Sequence, residues 1–170
     1  MKVTMYAAAT PNGMIAGAGD DLGFITQTEW QGIMKKAYDV GNCIMGRRAY
    51  EVLLKRGKFP YNCLNIVMTK KKQANKWPGK VIFTGKSPRQ VLKMLEQKGF
   101  QEALVLGGGT LNASFAKQKL IDEIILDVEP GIFTKGTRLF NGKDFSLKLK
   151  LIDARQVSPD EARIVYKVER

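Results

Sequence analysis

The sequence predicts an α/β fold with a mostly parallel central sheet, helices on both faces and an antiparallel pair of strands at one edge. Three observations carry that expectation. Apolar, β-like runs alternate with segments of helical periodicity over short connections. Two of those runs end on glycine just before a helix. The last two runs, Phe145 to Ile152 and Arg163 to Val168, have no helical segment between them and should pair antiparallel. No repeat, low-complexity stretch or long linker interrupts the series, so residues 1–170 are expected to form one domain.

Taken in order, Val3 to Ala9 is a strand ended by the turn signal Pro11-Asn12-Gly13. Thr28 to Val40 reads as a helix with Thr28 as its cap, because Trp30, Ile33, Met34 and Ala37 recur at helical spacing. Cys43 to Met45 is a short buried strand ending at Gly46, and Arg48 to Lys55 is helical. Leu64 to Thr69 and Val81 to Thr84 are strands. Ser87-Pro88 opens a helix, with Ser as N-cap and Pro at the first position, that buries Val91, Leu92 and Leu95 and stops near Gly99. Ala103 to Leu106 is a strand running into Gly107-Gly108-Gly109. A helix follows to about Lys119, and Ile121 to Val128 is the next strand.

Composition removes several classes of chemistry. The chain has no histidine, which excludes a Ser-His-Asp triad, a Cys-His pair and every histidine-based metal site. No metal site is expected, and acid–base work must fall to a carboxylate, Lys, Tyr or ordered water. Cys43 and Cys63 lie in apolar stretches and read as two reduced, buried thiols. No apolar run approaches the roughly 18 residues of a membrane helix. Met1 to Ala9 reads as a strand rather than a signal peptide, so a cytoplasmic protein without membrane contacts is expected.

The net charge of +12 is unevenly spread. Thirteen basic residues fall between Lys35 and Lys86, against two acids, Asp39 and Glu51. Such a field attracts polyanions: a phosphorylated cofactor, nucleic acid, or nothing more specific than solvent.

The glycine-marked strand ends narrow that choice. In Met45-Gly46-Arg47-Arg48-Ala49, glycine allows close backbone approach, the helix start offers N–H groups, and arginine supplies a planar fork for phosphate. In Leu106-Gly107-Gly108-Gly109-Thr110-Leu111 a strand, three glycines and a helix start form a second cradle, suited to a pyrophosphate. It has neither the GxGxxG spacing nor the Lys-Ser/Thr of a P-loop. Thr69-Lys70-Lys71-Lys72 ends a third strand and would suit an extra phosphate monoester if it lies beside Gly46. The competing reading is a basic nucleic-acid-binding domain without catalytic activity. Against it, the aromatics do not interleave with the basic residues as stacking platforms.

These residues resemble the dihydrofolate reductase superfamily, which includes the reductase domain of the riboflavin-biosynthesis deaminase–reductase. The similarity runs over nearly the whole chain. It rests on Ile44 to Glu51, on Asn65 to Thr69 and on Gly107 to Gly109, in that order. It implies the three-layer dihydrofolate-reductase-like fold and an NADPH-dependent reductase acting on a small pteridine or pyrimidine-type molecule, with homodimers common in the riboflavin branch. By the same resemblance, Gly46, Arg47, Arg48 and Ala49 would lie along the cofactor's phosphates. Thr69, Lys70 and Lys71 would lie near the 2′-phosphate. Leu106, Gly107, Gly108, Gly109, Thr110 and Leu111 would hold the pyrophosphate, with Ala9 and Ile15 also on the cofactor side. Ala8, Asn12 and Phe24 would face the substrate.

Two branches of the superfamily share these marks. Asn12 to Ala16, Phe24 to Thr26 and Leu120 to Ile124 are similar to the riboflavin branch, which usually carries Asp where this chain has Asn12. The dihydrofolate branch needs a carboxylate on the first helix. Counted from Phe24 that position is Glu29; counted back from Gly46 it is Trp30, and one inserted residue near Asp39 to Asn42 would reconcile the counts. If the substrate is dihydrofolate, Glu29 is the expected catalytic residue, orienting the pterin and assisting its protonation through water. Ala49 stands where dihydrofolate reductases often have Thr.

Overall fold

A computed structural model describes residues 1–142 and 144–169. Its elements are β1 (Lys2–Ala9), β2 (Met14–Gly17), α1 (Gln27–Val40), β3 (Asn42–Gly46), α2 (Arg47–Lys55), β4 (Leu64–Met68), β5 (Val81–Thr84), α3 (Pro88–Gln97), β6 (Glu102–Gly107), α4 (Gly109–Lys117), β7 (Glu123–Val128), β8 (Gly136–Arg138), β9 (Lys148–Ser158) and β10 (Glu161–Glu169). Eight strands form one sheet in the order β5-β4-β3-β6-β1-β7-β10-β9. The pairings from β5 to β7 are parallel, and β10 pairs antiparallel with both β7 and β9. This is the expected mostly parallel sheet with an antiparallel edge.

The period-2 alternation of strand side chains sorts the core into two layers of packing. Val3, Met5, Ile44, Ala103 and Val105 point to one face, where Val91 and Leu95 of α3 and Leu111, Phe115 and Ala116 of α4 cover them. Tyr6, Cys43, Met45 and Leu104 point to the other, against Trp30, Ile33 and Ala37 of α1 and Tyr50 and Leu53 of α2. Handedness explains the division. From β1 to β3 and from β3 to β4 the chain moves toward the β5 edge, and α1 and α2 take one face. From β5 to β6 and from β6 to β7 it moves back, and right-handed crossovers put α3 and α4 on the other face.

Three expectations need correction. The cap of α1 is Thr26, not Thr28: Thr26 is extended and its hydroxyl accepts from the Glu29 N–H at 3.3 Å, whereas Thr28 already lies in the first turn. The penultimate strand is Lys148–Ser158 rather than Phe145 to Ile152. It is an edge strand exposed along most of its length, so its second half is polar and carries no apolar alternation. Phe145 instead packs edge-on against Phe140, with ring centroids 5.2 Å apart. The third correction is an addition. β2 and β8 form a separate two-stranded antiparallel sheet that the sequence did not announce, because four and three residues are too few to show a period.

Candidate active site

The strand order reverses its direction of growth between β3 and β6, which are direct neighbours. After β3 the chain leaves on one face as α2; after β6 it leaves on the other as α4. A crevice opens where the two connections diverge, beyond the C-terminal ends of the strands, the usual place for a ligand in an open α/β sheet. A cavity of about 480 Å³ lies there, an ordinary volume for a small-molecule site. Its wall is mostly apolar (Ile15, Ala16, Leu22, Ile25, Trp30 and Ile33 among others), and both helix starts open onto it.

Those starts are built alike. Gly46 is the N-cap of α2 and Gly108 the N-cap of α4, and neither helix has a side-chain cap among the described residues. Both glycines have extended backbone that any residue could adopt: φ is −81° at Gly46 and −77° at Gly108. Both have room for a side chain. A Cβ on Gly46 would lie 3.8 Å from the Gly107 carbonyl oxygen, and one on Gly108 would lie 3.9 Å from Ile15. Sterics therefore do not explain the missing caps. The N–H groups of both helix starts stay available to an anion at the positive end of each helix.

The other two glycines of the turn are there for local reasons. Gly107 has φ of +91°, a left-handed conformation that strains other residues. A Cβ on Gly109 would come within 2.3 Å of the Arg138 carbonyl oxygen, so glycine is what lets the strip after β8 pack on α4. The Asn141 N–H donates to the Gly109 carbonyl at 3.0 Å and fastens that strip down.

Of the residues singled out from the sequence, Ala8, Ile15, Gly46, Arg47, Arg48, Ala49, Leu106, Gly108, Gly109, Thr110 and Leu111 line the cavity. Arg47 is paired with Glu51 at 2.6 Å, and Arg48 grips Asp20 through two nitrogens at 2.7 and 2.9 Å. Thr69, Lys70 and Lys71 follow β4, the neighbour of β3, but stand off the wall; Lys70 and Lys71 are exposed. Gly107 is buried beneath the turn, and the Ala9 carbonyl accepts from the Glu129 N–H at 2.9 Å. Asn12 is exposed and donates to the Phe133 carbonyl at 2.9 Å, while Phe24 packs on the Phe133 ring. Neither Asn12 nor Phe24 touches the cavity.

Glu29 is placed apart from the wall as well. Its first-turn neighbour Trp30, the residue reached by the other count, is the one facing the cavity. The Glu29 carboxyl is fully buried and 3.2 Å from the Tyr6 hydroxyl. That hydroxyl also sits 2.8 Å from Asp127 Oδ2 and contacts Arg163, whose Nε donates to Asp127 Oδ1 at 2.7 Å. Burial, then the hydrogen bond and charge of Asp127, push Glu29 up to about 11, so it is a neutral acid at pH 7. Burial pushes Asp127 the same way, but hydrogen bonds from Arg163, Glu29 and Tyr6 outweigh it and hold this carboxyl below its usual range. The cluster thus contains one buried ion pair, Asp127 with Arg163, and a protonated Glu29. Burial also raises Tyr6, which keeps its proton and itself lines the cavity. Tyr6, Asp127 and Arg163 escaped the sequence reading. The signal was present: a lone acid inside the apolar run Ile124-Ile125-Leu126-Asp127-Val128 must have a partner somewhere.

The mostly parallel sheet with its antiparallel edge, helices on both faces and an apolar cavity at the switch point define a three-layer α/β protein with the dihydrofolate-reductase-like fold. The chain belongs to the RibD C-terminal domain family, whose model matches residues 1–162. It is similar to the uncharacterized Bacillus subtilis (strain 168) protein YwjB, 27% identical over 91% of each chain. A putative riboflavin biosynthesis protein from Shewanella sp. PV-4 has the same fold over 100% of both chains, with TM-score 0.86 and 23% identity. So does a diaminohydroxyphosphoribosylaminopyrimidine deaminase/5-amino-6-(5-phosphoribosylamino)uracil reductase from Thermotoga maritima, with TM-score 0.76 and 18% identity. The match takes in 98% of this chain and 56% of that one.

Proposed function

We propose that this chain is an NADPH-dependent reductase acting on a small pyrimidine-type ring, in the manner suggested by the riboflavin-pathway reductase it resembles in fold. The observation that carries the reading is the pair of uncapped helix starts, Gly46 and Gly108, facing one cavity. The residues present suit a phosphorylated dinucleotide. Arg47, Arg48 and the N–H groups that open α2 would take one set of phosphate oxygens, and the start of α4 the pyrophosphate. Asn112 lines the same cavity, and its buried Oδ1 has no hydrogen-bond partner among the described residues, an acceptor suited to a ligand N–H. Thr69, Lys70 and Lys71, one strand further out, would hold the 2′-phosphate that distinguishes NADPH from NADH.

When bound, the nicotinamide supplies the hydride. This chain supplies the rest. The apolar wall of Ile15, Leu22, Ile25, Trp30 and Ile33 excludes water from the rings. Tyr6 presents a hydroxyl that keeps its proton, and Glu29 stands behind it with a second. Glu29 thus acts as a positioning residue and proton reserve through Tyr6, not by touching the substrate.

NADPH oxidation followed optically, with the riboflavin-pathway aminopyrimidinone phosphate and dihydrofolate tested side by side, decides the assignment. Turnover of the pyrimidine is expected, and no oxidation with either would end it. Glu29→Gln should lower turnover at least tenfold while leaving NADPH binding intact, and it should shift the pH profile. Its stability signature is separate. Because the folded chain holds Glu29 near pH 11 against an ordinary 4.5, the stabilisation is complete below pH 4.5 and fades as pH rises toward 11. Thermal melts of the parent should therefore fall between pH 5 and 9, and those of Glu29→Gln should fall less.

A further inference from the structure

The parallel pairing of β3 with β4 brings the two cysteines together behind the cavity wall. Cys43 is fully buried on β3; Cys63, just before β4, is partly exposed rather than buried as the sequence suggested. Their sulfurs are 3.7 Å apart. The Asn65 side chain ties this pair to the cavity. Its Oδ1 accepts from the Cys43 thiol at 3.4 Å and from the Tyr61 N–H at 3.0 Å, and its Nδ2 donates to the Tyr61 and Cys63 carbonyls at 2.9 and 2.7 Å. Tyr61 lines the cavity.

We propose that Cys43 and Cys63 form a redox-reversible modification site, a dithiol that closes to an intramolecular disulfide under a peroxide-class oxidant. The geometry assigns the order of attack, because Cys63 is the sulfur that solvent reaches. Its thiol is also held below the usual range by the hydrogen bond with Cys43, against burial and with help from Lys80, whereas burial pushes Cys43 up. The Cys63 thiolate attacks one peroxide oxygen, the O–O bond breaks, and the released hydroxide takes a proton to become water. Cys63 is now a sulfenic acid and the peroxide is reduced. The Cys43 sulfur then attacks the Cys63 sulfur. The S–S bond forms as the S–O bond breaks, and the hydroxyl leaves as water with the Cys43 proton. Two thiols and one hydrogen peroxide give one disulfide and two waters. A small dithiol reverses the change by exchange. Asn65 then loses the Cys43 hydrogen bond, one residue from the cavity wall.

The test treats the folded full chain with hydrogen peroxide, alkylates the remaining thiols, and digests it for mass spectrometry. The expected product is a peptide pair joined through Cys43 and Cys63, within a single chain lighter by two hydrogens and restored by dithiothreitol. Cys63→Ser should leave Cys43 unoxidised under the same treatment. Over-oxidation of Cys63 with Cys43 still a thiol, disulfides joining two chains, or two unmodified cysteines would each overturn the proposal.

Discussion

The four α-helices among the described residues begin in two different ways. α1 and α3 start as isolated helices are expected to start. The Thr26 hydroxyl accepts from the Glu29 N–H, and Ser87 forms a reciprocal capping box with Gln90. α2 and α4 begin on glycine, with no side chain over the first turn. The difference is not forced by backbone conformation or crowding, since Gly46 and Gly108 would each accept a Cβ at ordinary contact distance. It follows position in the sheet. The uncapped pair flanks the switch point between β3 and β6 and opens on the cavity. The fold forgoes a small local stabilisation, about a few tenths of a kcal/mol at each of two glycine-capped helix ends, where the same N–H groups can hold a ligand.

The largest effect is expected when the missing cap is supplied. Gly108→Asp should fit sterically and leave the melting temperature unchanged or slightly raised. It should also weaken NADPH binding about a hundredfold or more, because a carboxylate then occupies the N–H groups and repels phosphate. Fluorescence titration with NADPH reads this, and unchanged affinity would remove α4 from the cofactor site. The opposite experiment removes caps that exist. Thr26→Ala and Ser87→Ala should each cost about 1 kcal/mol in denaturant unfolding and leave NADPH affinity alone. The smallest effect is expected at the start of α2. Asp20→Asn frees Arg48 from its exposed ion pair, which should tighten NADPH binding about two- to fivefold, with the gain shrinking as salt rises.

Much of this was legible in the chain. The Ser87 cap, the runs ending at Gly46 and Gly107, and the apolar residues Val91 and Leu95 of α3 are local patterns, and they lie where the periodicity put them. The second half of β9 was not legible because Asp153 to Ser158 carries no regular apolar alternation. Within the site, glycines at strand ends were visible, since their role depends on backbone and immediate neighbours. Glu29 was visible as an acid in a first helical turn. Which way it points was not, because adjacent helical residues face about 100° apart, and the sheet beneath decides that Trp30 meets the cavity while Glu29 meets Tyr6.

The sequence by itself supplies the list of parts: alternating strands and helices, and two glycine-marked helix starts, the first of them followed by two arginines. Which parts meet is set by the order of the strands in the sheet. The order β5-β4-β3-β6-β1-β7-β10-β9 sets Gly46 beside Gly107, Cys43 beside Cys63, and Tyr6 between Glu29, Asp127 and Arg163. The reason is physical: strand pairing is made by backbone hydrogen bonds between segments distant in the chain, and such bonds are blind to side-chain identity. No local pattern can announce them.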